Sequence, residues 1–514
     1  MKKAIKSVTL FLIIALATSL LVSCDTTKNP ETTPEPTLAP QVGDVIDNGD
    51  GTVTTITQLN NPILPGYHAD PSAYLFDDTY YIYSTTDGYI VSGNGGWPMI
   101  WKSTDFVNWS AVEMELLNSK GKKFSEAADG YWAPSMAKVG EKYYLFFTLA
   151  DYQIRVATGD SPEGPFTVQG GDLVPKNKTI DPQAFVDDDG KLYITYLMYE
   201  HGASGDIMTV ISELDPEDPT EVIETKIIEE LSRVYREGQE ILKKDGKYYL
   251  FYSEGNWTGT DYHVCYAMAD SIYGPYTIKG TILESADANL VGTGHHSTLQ
   301  LKDGQYVMVY HRQSIPFIGF GYRQVCVDNM LFNEDGTIKK VQASYDGIVL
   351  GVTTSKEEAT LKNVAQGATV TYTSDQKERI YQPDFLVDGT NQTLFKTAND
   401  EGEKEILIEL AQEYEIQKTE LCFEYGSKYY RYKIDVSTDG TNWTEYANQT
   451  SGKVRVTPRV DTGVAKAKYI RITLVDCESM NRNYGSKNLK DPQRWKEPAR
   501  YGLFEFKAYA YVTE

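Results

Sequence analysis

Three acidic side chains sit in short phrases of one build: Asp70 in ADPSA, Asp181 in IDPQA and Glu237 in REGQE. WAPSM around Ala133 and GHHST around His295 extend the set, and each phrase precedes an aromatic run. An isolated Asp-Pro is ordinarily a turn or strand-start residue. Carboxylates that recur in phase are different, because burying one unpaired costs several kcal/mol, so a cluster points to chemistry or to a cation. The chemistry that needs such a set is hydrolysis of a glycosidic bond with inversion. One carboxylate activates water, and a protonated carboxylic acid roughly 6.5–9.5 Å away protonates the leaving oxygen. A third carboxylate helps keep the acid protonated, since like charges raise its pKa.

The aromatic runs indicate what must hold these groups. FDDTYYIYST from Phe76, VGEKYYLFFT from Val139, DDGKLYITY from Asp188, KKDGKYYLFYSEGNW from Lys243 and KDGQYVMVY from Lys302 each read as a polar hairpin turn entering a buried strand. Their spacing of about 50 to 63 residues is the period of propeller blades or of a solenoid, and the aromatic strands favour blades. We therefore expect a five-bladed β-propeller over residues 55–352 with four short strands per blade. Aligning the phrases puts Asp70, Ala133, Asp181, Glu237 and His295 at equivalent positions of the innermost strands, around one channel.

The chain has 514 residues, more than one hydrophobic core usually supports. From about 360 the segments EILIEL, ELCFEY, YKIDVSTDGTNWTEY, KYIRITL and LFEFKAYAY alternate strands with turns, which predicts an antiparallel β-sandwich over 360–514. The expected fold class is all-β throughout, consistent with 38 tyrosines and few helix-period apolar patterns. Lys plus Arg number 49 against 72 Asp plus Glu, a net charge of −23 that argues against binding nucleic acid or an anionic membrane surface by charge. Lys2 and Lys3 followed by VTLFLIIALATSLLV predict a secretory signal over 1–24, and the Thr/Pro-rich stretch 25–54 predicts an extended tether. Cys265, Cys326, Cys422 and Cys477 show no CxxC pair and no metal-like spacing; the last two could pair or stay buried thiols.

Family resemblances sharpen these expectations. YHADPSAY around Asp70, DGYWAPSM around Trp132, IDPQAFVDDDGKLY around Asp181, REGQEILKKDGKYYLFYS around Glu237 and GTGHHSTLQL around His295 resemble, in order, the motifs of glycoside hydrolase family 43. The resemblance implies that Asp70 is the general base, Asp181 tunes and orients the acid, and Glu237 is the general acid. It also implies that Trp132 walls the sugar site and that Arg323, in GYRQV, contacts sugar hydroxyls. His295 would help hold an ion, commonly calcium, through water, because calcium itself prefers oxygen ligands. Each has a packing alternative: a core histidine, a structural ion pair for Arg323, blade packing for Trp132. His296 leaves the histidine register open by one residue, and EGQE brings a second carboxylate, Glu240, expected to point elsewhere along the strand.

FLVDGT from Phe385, VSTDGTNW from Val436, AKYIRITL from Ala467 and LFEFKAYA resemble a discoidin-type (coagulation-factor C-type) domain, either a carbohydrate-binding module or a brace on the propeller. Tyr429, Tyr430 and Trp495 could stack on sugars or fill its core. LVSC ending at Cys24 resembles the bacterial lipobox, implying a lipid-anchored protein exported to a cell surface. The expected activity is removal of α-L-arabinofuranosyl or β-D-xylosyl units from plant cell-wall polysaccharide or oligosaccharide. Expected partners are that glycan and, through the anchor, a membrane, with no nucleic acid. No cofactor is required for the chemistry, with one calcium ion as a channel occupant. Alternatives are an endo-arabinanase, a galactose-directed hydrolase, a retaining sucrose-type propeller enzyme, or a glycan-binding lipoprotein without catalysis.

Overall fold

The computed structural model describes residues 40–88, 97–125, 130–199, 206–285, 287, 289–372, 379–399, 402–478 and 500–512. The chain forms two units, Met1–Gln41 and Val42–Glu514. The expected signal, Cys24, most of the tether and Trp495 lie outside the described residues.

Five sheets follow one another as blades, antiparallel except where Leu116–Leu117 and Val341–Gln342 add as short parallel edges to the second and fourth. Their innermost strands are His68–Phe76, Tyr131–Val139, Lys178–Val186, Glu237–Lys244 and Gly294–Gln300. The second strands are the aromatic runs, Thr79–Thr86, Lys142–Leu149, Leu192–Tyr199, Lys247–Glu254 and Tyr306–Gln313. Each pair is closed by a tight turn; in the fourth, Asp245 and Gly246 adopt φ of 51° and 73°. Two left-handed residues in succession match the twist of the flanking strands, which is why Asp-Gly serves there. The tyrosines and phenylalanines then alternate into the spaces between blades, as Tyr144 and Phe146 do against Tyr196 and Ile194.

The fifth blade departs from the expected four strands. It holds three, Gly294–Gln300, Tyr306–Gln313 and Arg323–Asn329. The segment ahead of the first blade lies along its outer strand, with Ile63 N donating to Val325 O at 2.9 Å and Asn61 exchanging two hydrogen bonds with the Val327 backbone. The ring is thus tied by chain from before its first blade. The tether needs a second correction: Val45–Asp47 and Thr52–Leu59 form a sheet with Ile348–Ser355, so ordered structure starts well before residue 54. The β-branched run Thr52–Thr57, four Thr with Val53 and Ile56, fits a half-buried strand once Ile348–Ser355 is there to pair with.

The C-terminal part is built on two long strands, Lys404–Phe423 and Arg459–Cys477, which pair with each other and with Gly502–Tyr511 and Tyr430–Ser437. Register shifts near Glu409 and Ile416 let the long strands bend around one core containing Ile406, Ile434, Ile472 and Phe506. This sandwich docks on the propeller. Val456–Thr457 adds to the outer strand of the first blade, Ser110–Glu113, and Tyr425 Oη donates to Gly88 O at 2.9 Å. Tyr67 lies at this junction, edge-on to Phe504 with ring centroids 5.7 Å apart. Tyr430 is core, stacked on Phe423, whereas Tyr429 lies beside the Arg431 and Lys453 cations. Among the described residues Cys265, Cys326, Cys422 and Cys477 are buried free thiols, so the Cys422–Cys477 pairing left open by the sequence does not form.

Candidate active site

Each innermost strand begins with a β-bulge at the same place. The pairing register skips between Ala69 and Ser72, Trp132 and Ser135, Ile180 and Gln183, Glu237 and Glu240, and Gly294 and Ser297. The bulged residues are Asp70, Ala133, Asp181, Gly238 and His295, with φ of 49°, 42°, 59°, 59° and 44°. Left-handed backbone at non-glycine residues costs of order 1–3 kcal/mol and gathers at functional sites. This corrects the expected alignment in one blade. Glu237 is not equivalent to Asp70; it occupies the preceding position, that of Trp132, and Gly238 takes the bulge. A Cβ on Gly238 would meet the His295 ring at 2.9 Å, so only glycine fits beside that histidine.

The bulge amides link the blades. Ala133 N donates to Thr85 Oγ1, Asp181 N to Thr148 Oγ1, His295 N to Ser253 Oγ and Asp70 N to His311 Nδ1, at 2.8 to 3.1 Å. Each acceptor lies on the second strand of the preceding blade. The corresponding position of the third blade is Leu197, which cannot accept. Gly238 N donates instead to Asp181 Oδ2 at 3.1 Å. Leu197 thereby leaves a backbone donor that holds Asp181 against the root of Glu237.

The three carboxylates converge in one cavity of about 430 Å³, also lined by Trp132, Tyr235, Trp257 and Arg323. That volume lies in the lower part of the roughly 300–1,000 Å³ typical of small-molecule sites. Asp70, Asp181 and Glu237 are 7%, 8% and 8% exposed. Their surroundings differ in kind. Asp70 accepts from Arg323 Nη1 at 2.9 Å and Thr85 Oγ1 at 2.6 Å, and His295 Nδ1 stands 3.2 Å away. Burial pushes its pKa up, but Arg323, His295 and His311 together hold it well below the usual carboxylate value. Asp181 is driven well above that value by burial, then by repulsion from Glu237 and Asp70. Glu237 is raised as well, chiefly by burial, although hydrogen bonds from Tyr235 and from Tyr262 at 2.8 Å pull the other way. The site therefore holds an ionised carboxylate at Asp70, while Asp181 and Glu237 retain a proton at pH values where isolated carboxyls do not.

All six expected residues come together. Arg323 is more than a sugar contact: buried, it grips Asp87 through Nε at 2.8 Å and Nη2 at 3.2 Å while reaching Asp70, with Trp257 stacked 4.7 Å from its guanidinium. Trp132 stands edge-on to Tyr152 at 5.6 Å on the cavity wall. His295, not His296, faces the carboxylates, and burial lowers its pKa to about 4, so it is neutral. His296 pairs with Glu240, whose carboxylate is turned away onto the Thr298 amide. A calcium ion at His295 would not find a protein oxygen cage. The nearest carboxylate oxygens already accept from Arg323, Thr85 and Gly238, which leaves only contact through water.

Sequence reading did not single out Asp87, Tyr235, Trp257, Tyr262 or His311. Tyr235 carried a signal, standing two residues before Glu237 on the same strand approach. Asp87 carried none, because it meets Arg323 only through closure of the ring.

Residues 59–338 match the family described as Glycosyl hydrolases family 43. The chain belongs to this family. Residues 368–488 match the F5/8 type C domain, in agreement with the sandwich. Among family 43 relatives, the β-D-galactofuranosidase of Aspergillus niger is 31% identical over 315 residues, covering 58% of this chain and 89% of that protein. The arabinoxylan arabinofuranohydrolase of Paenibacillus polymyxa is 28% identical over 353 residues, 59% of this chain and 54% of that protein, so the chain spans about half of that relative. A solved structure described as a glycoside hydrolase superposes with a TM-score of 0.71 at 26% identity, covering 88% of this chain and 99% of that one. That likeness extends beyond the propeller into the sandwich.

Proposed function

We propose that this family 43 glycoside hydrolase removes terminal α-L-arabinofuranosyl or β-D-xylosyl units from plant polysaccharide or oligosaccharide, with inversion. The observation that carries this reading is the opposite polarisation of Asp70 and Glu237 within one cavity. Asp70, ionised by Arg323, takes a proton from water as the water oxygen attacks the anomeric carbon. Glu237 gives its proton to the glycosidic oxygen as that bond breaks; burial and the charge of Asp70 keep it protonated until then, and Asp181, held by the Gly238 amide, orients it. Tyr235 and Tyr262 fix the rotation of the Glu237 carboxyl. No step is assigned to calcium; an ion near His295, held through water, would act only on the charge of the channel floor.

The names of the two relatives support a furanoside. β-D-galactofuranose and α-L-arabinofuranose share their ring configuration and differ only in an exocyclic carbon. The reading is tested on a panel of aryl glycosides: α-L-arabinofuranoside, β-D-xylopyranoside, β-D-galactofuranoside and β-D-galactopyranoside. The arabinofuranoside or the xyloside should be cleaved with a kcat/KM at least about tenfold above the others, on the scale of 1–3 kcal/mol for one substituent in a fitted pocket. Preference for either galactoside would move the assignment to a galactose-directed enzyme, and cleavage of polymeric arabinan alone would make it an endo-acting one.

We further propose that the chain is exported and anchored through lipid on Cys24, supported by the LVSC phrase behind its apolar run. A Cys24→Ser variant should leave the membrane fraction and appear soluble, while retention of that variant in the membrane would refute the anchor.

A further inference from the structure

Outside the cavity, one cluster brings together three different metal-ligating side chains. Glu254 ends the strand Lys247–Glu254, and His263, directly opposite it, begins His263–Ala269. Cys265 lies two residues on, on the same face of its strand as His263. A carboxylate oxygen, an imidazole nitrogen and the thiol sulfur all lie within 4.8 Å of one another, with Glu254 Oε2 to His263 Nε2 at 3.8 Å. With metal–ligand bonds of about 2.0–2.3 Å, ligand atoms on a tetrahedral ion stand roughly 3.3–3.8 Å apart. Small side-chain rotations close the difference.

The surroundings orient these ligands. His263 Nδ1 donates to Asp261 O at 2.8 Å, which leaves the Nε2 lone pair aimed at the cluster, the arrangement typical of a metal-bound imidazole. Glu254 Oε1 accepts from Arg236 Nε at 2.7 Å, so Oε2 is the oxygen turned toward His263. Cys265 is a buried free thiol, with Thr281 Oγ1 3.5 Å from its sulfur. Glu254 and His263 are each 26% exposed at the side chain, enough for an ion to enter from solvent.

We propose that Glu254, His263 and Cys265 bind one thiophilic divalent metal ion, Zn²⁺ in the first place, with water as fourth ligand. Binding forms metal–oxygen, metal–nitrogen and metal–sulfur bonds and releases the thiol proton to solvent, with no change of oxidation state.

The position gives the site a consequence. Residues 255–262 form the loop between Glu254 and His263, and they carry Trp257 and Thr258 of the cavity wall and Tyr262, which donates to Glu237. The neck of this loop is already narrow: a Cβ on Gly255 would meet Asp261 O at 2.1 Å. A metal joining Glu254 to His263 ties both ends of the loop, and through Glu254 it reaches Arg236, the residue next to Glu237.

Titration of the full chain with Co²⁺, a coloured stand-in for Zn²⁺, tests the site. One equivalent should produce a thiolate-to-cobalt charge-transfer band in the near ultraviolet, and Zn²⁺ should displace it. Cys265→Ser should lose the band. Loss of an outer-shell partner already weakens metal sites about 10–100-fold, so His263→Gln and Glu254→Gln should each weaken binding at least that much. Both positions are strand ends open to solvent, and circular dichroism establishes that the variants are folded. Absence of a saturable band, an undiminished band in Cys265→Ser, or unchanged Zn²⁺ affinity in folded His263→Gln would overturn the proposal.

Discussion

An Asp70→Asn variant should lose at least about 10³-fold in kcat/KM on every substrate, natural or activated, within the 10²–10⁴ or more ascribed to a positioned base. An amide has almost the shape of the carboxylate and still accepts from Thr85, but it cannot take a proton from water. It also removes the negative charge that Arg323, buried and held by Asp87, faces at 2.9 Å. Ligand binding should survive, because Trp132, Trp257 and Phe320 on the cavity wall are untouched. Calorimetry with the released monosaccharide would show it. Wild-type turnover in this variant would remove Asp70 from the mechanism.

Replacing Glu237 with Gln should split the substrates. On oligosaccharides, whose leaving alkoxides need a proton, the expected loss is about 10²–10⁴-fold. On aryl glycosides with a good leaving group it should be far smaller, and equal losses on both would refute the acid role. The pH profile supplies a second reading. Asp70 works ionised, and its depressed pKa means activity falls only when the pH drops well into the acid range. Glu237 works protonated, so activity falls as pH rises through the raised titration of the Asp181 and Glu237 pair. In Glu237→Gln that alkaline limb should vanish for aryl substrates, because the group that must stay protonated is gone and the loss of its charge eases the ionisation of Asp181.

Much of this was legible in the sequence, and for identifiable reasons. Hairpin turns and aromatic strands are local: Asp245 and Gly246 specify their turn from within, and a run such as KYYLFYSE is a strand wherever it packs. Five such units imply a ring, and a ring brings Asp70, Asp181, Glu237 and His295 to one axis without any need to know the contacts. The alternating segments beyond 360 likewise announced a second β domain from their own pattern.

What the tertiary structure decided were matters of register and of closure. Glu237 precedes the bulge while Asp70 and Asp181 occupy it, and no phrase shows this, because the bulge arises where His295 leaves room only for Gly238. Leu197 is an ordinary strand residue until the inter-blade amides are traced, when it becomes the gap that Asp181 fills. Residues 45–54 read as tether because the strand Thr52–Leu59, onto which Val45–Asp47 fold back, pairs with Ile348–Ser355 some 300 residues away. Asp87 and Arg323 are likewise 236 residues apart in the chain but in contact in space. Local chemistry sets the elements because its partners are within a few bonds; site geometry depends on partners that only the closed ring brings into reach.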